Sequence, residues 1–352
     1  MIKVLVVDDS PTICHIFRTV LESDPGITVV GFATNGQDAV QKAGELHPNV
    51  ITMDVQMPGL DGIEATRLIM ERCPTPIVII SAHNNDPALT VSFNALQAGA
   101  VQVIDKPANI LAPDASAERA ALITTIKLMS EVRVVRRRFS GTAVRPRADE
   151  PTPNRLPGLI DVVVMGASTG GPAALNTILS ALPPTFPAPI LIVQHITAGF
   201  TGGLASWLSR TCALPISIAQ ADERIRPGVV YLAPDDQHLT LSAGGRLRLD
   251  HGELVNHVRP SINVLFDSVA RSTGATALGV LLTGMGEDGA RGLRAIRQRG
   301  GVTLAQDELT SIVYGMPKAA AEMDACSTIL PLDQIAAYLT HVVAGGRALA
   351  QA

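Results

Sequence analysis

The sequence predicts two doubly wound α/β domains, each with a parallel sheet, joined by a linker. Three observations carry that expectation. The chain has 352 residues, which at about 150 residues per domain is enough for two. Short apolar runs alternate with amphipathic stretches along both halves, the signature of repeated strand–helix units. Between the halves the charge changes sign: residues 1–125 carry 7 basic and 14 acidic side chains, residues 126–158 carry 8 and 3, and residues 159–348 return to a mild acidic excess. The middle block ends in Pro151-Thr152-Pro153 and Pro157-Gly158, and reads as an exposed basic tether. Composition also excludes function classes. With 47% hydrophobic and 17% charged residues the chain is too apolar for disorder. A net charge of −4 and 3% aromatics argue against a nucleic-acid partner. No apolar run reaches the roughly 18 residues of a membrane span, and the acids Asp8 and Asp9 come too early for a signal peptide. Cys14, Cys73, Cys212 and Cys326 are scattered singly, in neither a zinc nor a disulfide pattern. A cytoplasmic protein, without membrane insertion and monomeric, is the expectation.

In the first domain Lys3–Val7, Thr28–Ala33, Val50–Met53, Ile77–Ile80 and Val101–Ile104 read as strands. Helical spacing fills Thr12–Leu21, Gln37–Leu46, Ile63–Glu71 and Pro87–Ala98, with a fifth helix over about Ala117–Val135. Sites in such sheets lie at the carboxyl ends of the strands. Those ends carry Asp8 and Asp9, Asp54, Ser81 and Lys106. Three converging carboxylates repel one another unless a cation sits among them, and oxygen-only ligands favour Mg²⁺. Asp54 is then a candidate nucleophile towards a phosphoryl donor, with Lys106 and Ser81 holding phosphoryl oxygens.

The second domain opens with a strand at Asp161–Met165, then Gly166-Ala167-Ser168-Thr169-Gly170-Gly171 and a helix through about Leu182. Further strands are expected at Ile190–Val193, Ala277–Leu282 and Val302–Ala305, a helix from Gly289 to about Arg299, and an antiparallel excursion over Val229–Leu232 and Leu239–Leu249. Two glycine patterns compete. Gly166-x-Ser168-x-Gly170 fits a nucleophile elbow, whose serine sits over a helix N-terminus suited to an oxyanion. Gly284-x-Gly286-x-x-Gly289, with Asp307 beyond it, fits a dinucleotide fingerprint. Ser168, His195 and Asp288 all fall at strand C-termini, which suits a serine, its base and an orienting acid. The order Ser, His, Asp differs from that of the α/β-hydrolases. His238, His251, His257 and Asp267 stay open as rival partners, and a non-catalytic output domain that binds a partner or a dinucleotide is the alternative.

The first 125 residues resemble response-regulator receiver domains, on Val6-Val7-Asp8-Asp9-Ser10, Met53-Asp54-Val55-Gln56-Met57-Pro58-Gly59, Ser81-Ala82 and Lys106-Pro107. That resemblance implies a flavodoxin-like strand order, phosphorylation of Asp54 by a histidine kinase, and Mg²⁺ on Asp8, Asp9 and Asp54. Where receivers usually carry an aromatic switch residue this sequence has Val103. The second domain resembles the CheB chemotaxis methylesterases, on Met165–Pro172, Val193-Gln194-His195, Tyr231–Pro234, Arg259–Phe266, Leu282–Gly289 and Tyr314–Pro317. It implies a Rossmann-like hydrolase of glutamate methyl esters, and deamidase of glutamines, on chemoreceptors. Ser168, His195 and Asp288 would be catalytic, with the backbone at Met285 as oxyanion donor, Thr169 as positioning residue and no cofactor for hydrolysis. Arg259 would line the receptor cleft or make a structural ion pair.

Overall fold

The computed structural model describes residues 1–81, 86–107, 109–112, 114–132, 134 and 160–350. The chain divides into two compact units, residues 1–143 and 144–352. Most of the expected basic tether lies outside the described residues.

The first unit alternates β1 (Ile2–Val7), α1 (Pro11–Leu21), β2 (Ile27–Ala33), α2 (Gly36–Leu46), β3 (Val50–Asp54), α3 (Gly62–Arg72), β4 (Ile77–Ser81), α4 (Asp86–Ala98), β5 (Gln102–Asp105) and α5 (Ser116–Ser130). The strands pair in parallel in the order β2-β1-β3-β4-β5. The order reverses beside β1, which places a crevice between the carboxyl ends of β1 and β3. The central strands read as unbroken apolar runs because helices cover both faces; Val50–Asp54 and Ile77–Ser81 are buried throughout. Residue 125, the expected end of this domain, falls inside α5. Ile126 and Met129 are buried and hold the helix to its sheet past the point where the basic composition begins. The helix stops at Ser130, short of the expected Val135.

The second unit contains β6 (Val162–Ala167), α6 (Gly171–Ala181), β7 (Ile190–Gln194), α7 (Thr201–Thr211), β8 (Ile216–Ile218), β9 (Val230–Leu232), β10 (His238–Leu241) and β11 (Leu247–Asp250). After these come α8 (Ile262–Ser272), β12 (Ala277–Leu281), α9 (Ala290–Gln298), β13 (Val302–Gln306), α10 (Met316–Glu322), β14 (Thr328–Leu330) and α11 (Leu332–Ala350). Seven strands form one sheet in the order β14-β13-β12-β6-β7-β9-β8, all paired in parallel. The expected antiparallel excursion is half right. β10 and β11 form an antiparallel hairpin of their own, whereas Val230–Leu232 joins the main sheet beside β7. All three of its residues are buried, as a sheet-core strand demands and a half-exposed hairpin strand does not.

Candidate functional sites

In the first unit the strand ends bring the predicted residues together. Asp8 follows β1 and Asp54 ends β3; they are 3% and 8% exposed, while Asp9 is exposed. Lys106, just past β5, reaches between the two buried acids, its Nζ 2.5 Å from Asp8 Oδ2 and 2.7 Å from Asp54 Oδ2. Backbone amides take the other oxygens: Ser10 N–H donates to Asp8 Oδ1 at 3.0 Å and Gln56 N–H to Asp54 Oδ1 at 3.1 Å. Asp8 therefore serves the pocket, and the cap of α1 is Ser10, whose hydroxyl accepts from Ile13 N–H. Burial pushes the Asp8 carboxyl above its ordinary value against the opposing pull of Lys106. Burial also works to lower Lys106, but its hydrogen bonds to Asp54 and Asp8 together outweigh that and hold the ammonium above its usual range. Ser81 is buried and bonded to the Ser92 hydroxyl of α4 at 2.6 Å. Val103 is buried in β5, a side chain without the ring an aromatic switch would swing.

Asp8, Asp9 and Asp54 each offer a carboxylate oxygen within 4.8 Å of one another. The donors are all hard oxygens around a net negative charge, and they fit a Mg²⁺-like ion.

In the second unit β6 lies between β12 and β7. Ser168 follows β6, His195 follows β7 and Asp288 follows β12, so His195 and Asp288 approach from either side of the strand that Ser168 follows. His195 Nε2 lies 3.0 Å from Asp288 Oδ2. Backbone contacts bind the three strand ends: Ser168 N–H donates to Thr283 O at 3.0 Å and His195 N–H to Ala167 O at 2.9 Å. Gln194, buried, donates from Nε2 to the carbonyls of both Ser168 and His195, each at 2.8 Å.

Two glycines make this packing possible. A Cβ on Gly284 would lie 2.6 Å from Ser168 Cβ, so this turn can rest against the serine only without a side chain. Gly289 has φ +96 and is crowded by Leu281 and Ile262; it lets the chain turn from Asp288 into α9. The glycine pattern read as a possible dinucleotide fingerprint is thus occupied by serine packing and by delivery of an acid.

Asp288 does not cap its own helix. It faces the start of α8, where Ser261 Oγ donates to Oδ1 at 2.8 Å, Ile262 N–H to Oδ2 at 2.6 Å and Asn263 N–H to Oδ1 at 3.2 Å. In return Asn263 Oδ1 accepts from Gly292 N–H of α9 at 2.8 Å, so the two helices exchange N-terminal caps. Burial would raise the Asp288 carboxyl, but the bonds from His195, Ser261 and Ile262 outweigh it and hold it below its ordinary value.

The rivals separate cleanly. His251 and His257 are exposed, and Asp267 pairs with Arg291 at 3.2 Å. His238 is buried but reaches Asp288 only through Ser261. Arg259 makes an ion pair with Asp236 at 2.7 Å and also donates to the carbonyls of His251 and Gly252, which makes it a clasp on the β10–β11 hairpin. Met285 is 49% exposed, and Thr169 enters through its carbonyl, which accepts from Thr283 Oγ1 at 3.0 Å. Sequence reasoning missed Ser261 and Gln194; a serine directly after a proline and before an apolar helical run was the available signal for the former.

Fold and sites together define a class: a response regulator whose output domain is built like a serine hydrolase. Residues 4–112 match the response regulator receiver domain and residues 163–339 match CheB methylesterase. The chain belongs to the CheB methylesterase family. It is 47% identical over 345 residues to a protein-glutamate methylesterase/protein-glutamine glutaminase of Syntrophus aciditrophicus, covering 97% of this chain and 98% of that one. To the enzyme of the same name in Nitrosospira multiformis it is 46% identical, with 98% of each covered. The Thermotoga maritima CheB methylesterase catalytic domain superimposes with a TM-score of 0.51 at 40% identity, covering 52% of this chain and 99% of that one. Among the described residues no helix is long and apolar enough to cross a membrane.

Proposed function

We propose that the chain hydrolyses γ-glutamyl methyl esters on chemoreceptors, and deamidates receptor glutamines, with Ser168 as nucleophile, His195 as base and Asp288 as orienting acid. The observation that carries this is the meeting of His195 and Asp288 across the strand that ends in Ser168. A carboxylate only accepts, so the Nε2 held on Asp288 carries the hydrogen and Nδ1 is the ring nitrogen left to take the serine's proton. Ser168 Oγ bonds to the ester carbonyl carbon as its proton passes to His195. The imidazolium returns that proton to the departing methoxide, giving methanol. Water, deprotonated by His195, then attacks the acyl carbon; the bond to Ser168 Oγ breaks, the imidazolium returns its proton to that oxygen, and the glutamic acid released ionises to solvent. With glutamine the leaving group is ammonia.

Met285 N–H is suited to receive the oxyanion. The Gly284 carbonyl accepts from Gly315 N–H and Met316 N–H, at 3.1 and 2.9 Å. In a planar trans peptide the next N–H points the opposite way, away from α10. Thr169 supports the same turn through Thr283.

In the receiver, Asp54 is the phosphorylation site and a histidine kinase of the cytoplasm its donor. An Asp54 oxygen bonds to the phosphorus as the donor's P–N bond breaks, and Lys106 and Ser81 take the phosphoryl oxygens. Asp8, Asp9 and Asp54 would hold Mg²⁺, which supplies charge compensation for the incoming phosphoryl group. Methanol release from methylated receptor, measured with and without a phosphodonor, tests the whole reading. Release that rises with the donor and disappears in Ser168→Ala supports it; saturable dinucleotide binding without ester hydrolysis overturns it.

A further inference from the structure

A buried histidine stands outside both sites. His238, 2% exposed, opens the β10–β11 hairpin, and both of its ring nitrogens are bonded to backbone. Nδ1 lies 3.1 Å from Ser261 N and Nε2 lies 2.9 Å from Glu253 O. An amide N–H can only donate and a carbonyl can only accept. The ring is therefore neutral, with its single hydrogen on Nε2 and its Nδ1 lone pair on Ser261 N–H. A hydrogen on Nδ1 would face the amide's own and break that bond.

The amide so held belongs to the residue whose hydroxyl donates to Asp288, and the next two amides donate to the same carboxylate. The hairpin grips this segment elsewhere as well. Leu241 N–H donates to Ser268 Oγ of α8 at 3.0 Å, and Arg259 holds Asp236 and the carbonyls after β11. The hairpin lies outside the seven-stranded sheet, and what it fixes is the start of α8.

We propose that His238 is a positioning residue for the hydrolysis. Its Nδ1 fixes the Ser261 peptide, the Ser261 peptide fixes the donors on Asp288, and Asp288 thereby keeps Oδ2 on His195 Nε2. This rests on the Ser168–His195–Asp288 reading. The two histidines then have opposite duties around one carboxylate: His195 takes and returns a proton each turnover, while His238 keeps one tautomer throughout.

The two ring nitrogens can be replaced separately in the full-length protein. Asparagine places an amide oxygen at the same bond distance from the backbone as Nδ1, and glutamine places an amide nitrogen where Nε2 stood. His238→Asn, His238→Gln, His238→Leu and Asp288→Asn are compared by kcat and KM for methanol release and by the thermal transition of Trp207 fluorescence. His238→Leu and His238→Gln should lower kcat by about tenfold or more, towards the roughly 10²-fold that an ångström of misplacement costs, with KM nearly unchanged. His238→Asn should restore most of the loss. Equal kcat in all three His238 variants, or losses that only follow the melting temperature, overturn the proposal. If His238→Leu does not fold, the Asn and Gln pair decides alone. An Asp288→Asn protein with undiminished kcat would instead mean that the triad reading has failed.

Discussion

The two units solve one electrostatic problem in opposite ways. Each has a parallel sheet with buried carboxylate at its strand ends. In the receiver, Asp8 and Asp54 share a single movable cation, the Lys106 ammonium, and each receives one backbone amide. Burial keeps Asp8 above its ordinary value. In the hydrolase, Asp288 has His195, the Ser261 hydroxyl and two amides from the positive end of α8, and its carboxyl is held down. The difference matches the two proposed tasks. A phosphoryl acceptor must admit new charge and a metal, so its compensation comes from a long side chain that can move aside. An acid that orients a histidine must stay ionised and still through every turnover, so its compensation comes from His195 itself and from fixed donors, the Ser261 hydroxyl and the amides that start α8.

The largest break in the comparison is chemical. Ser168→Ala should lower methanol release by about 10⁴-fold or more, the scale on which removing a triad nucleophile acts. Acetyl phosphate should still label Asp54 in that variant, because the phosphoryl site lies in the other unit. Conversely, Asp54→Asn should give no rise in methanol release when a phosphodonor is added. A rise that survives this substitution would mean that phosphate enters elsewhere.

Lys106 tests the movable half of the contrast. Its side chain is 18% exposed and pairs with two acids, so Lys106→Met leaves two carboxylates facing each other. Removing one partner of a buried pair costs about 3 kcal/mol. The receiver should lose stability on that scale without divalent ions, and Mg²⁺ should restore more to the variant than to the parent. Circular dichroism should show this loss while the fluorescence of Trp207, the chain's single tryptophan, reports the second unit unchanged.

How much of this was legible depended on whether the cause lay within one segment. Both sheets and the strand-end residues Asp8, Asp54, Lys106, Ser168, His195 and Asp288 were readable, because apolar runs and the turns after them are local. The strands β8 and β14 were not: each has three residues, most of them partly exposed, and they exist only by pairing at the sheet edges. Val230–Leu232 was placed in the wrong sheet because three apolar residues have no period to read. The position of Asp288, just before a helix, suits an acid capping α9 equally well. Its actual partners come from Ser261 to Asn263, some 25 residues earlier, and no pattern in either segment announces the exchange of caps. Gln194 likewise acts on the carbonyl of the next residue, His195, and on the distant one of Ser168, so only the folded chain shows its part.

The fixed half of the contrast makes the smallest and most specific prediction. Asp288 has its carboxyl held below the ordinary carboxylate value of 3.8 in the folded state. Its contribution to stability is then complete above that value and is lost as pH falls through the lower, folded one. In denaturant titrations followed by Trp207 fluorescence, the second unit should weaken below about pH 4, and Asp288→Asn should flatten the slope there. Asp8 has the opposite displacement, so the receiver owes no such loss to it: a group whose folded value is raised favours folding at low pH and costs stability as pH rises through that value. If the second unit of Asp288→Asn keeps the parent's acid slope, this carboxylate is not held ionised by His195 and the donors at the start of α8, and the distinction between a movable and a built-in counter-charge fails where it is sharpest.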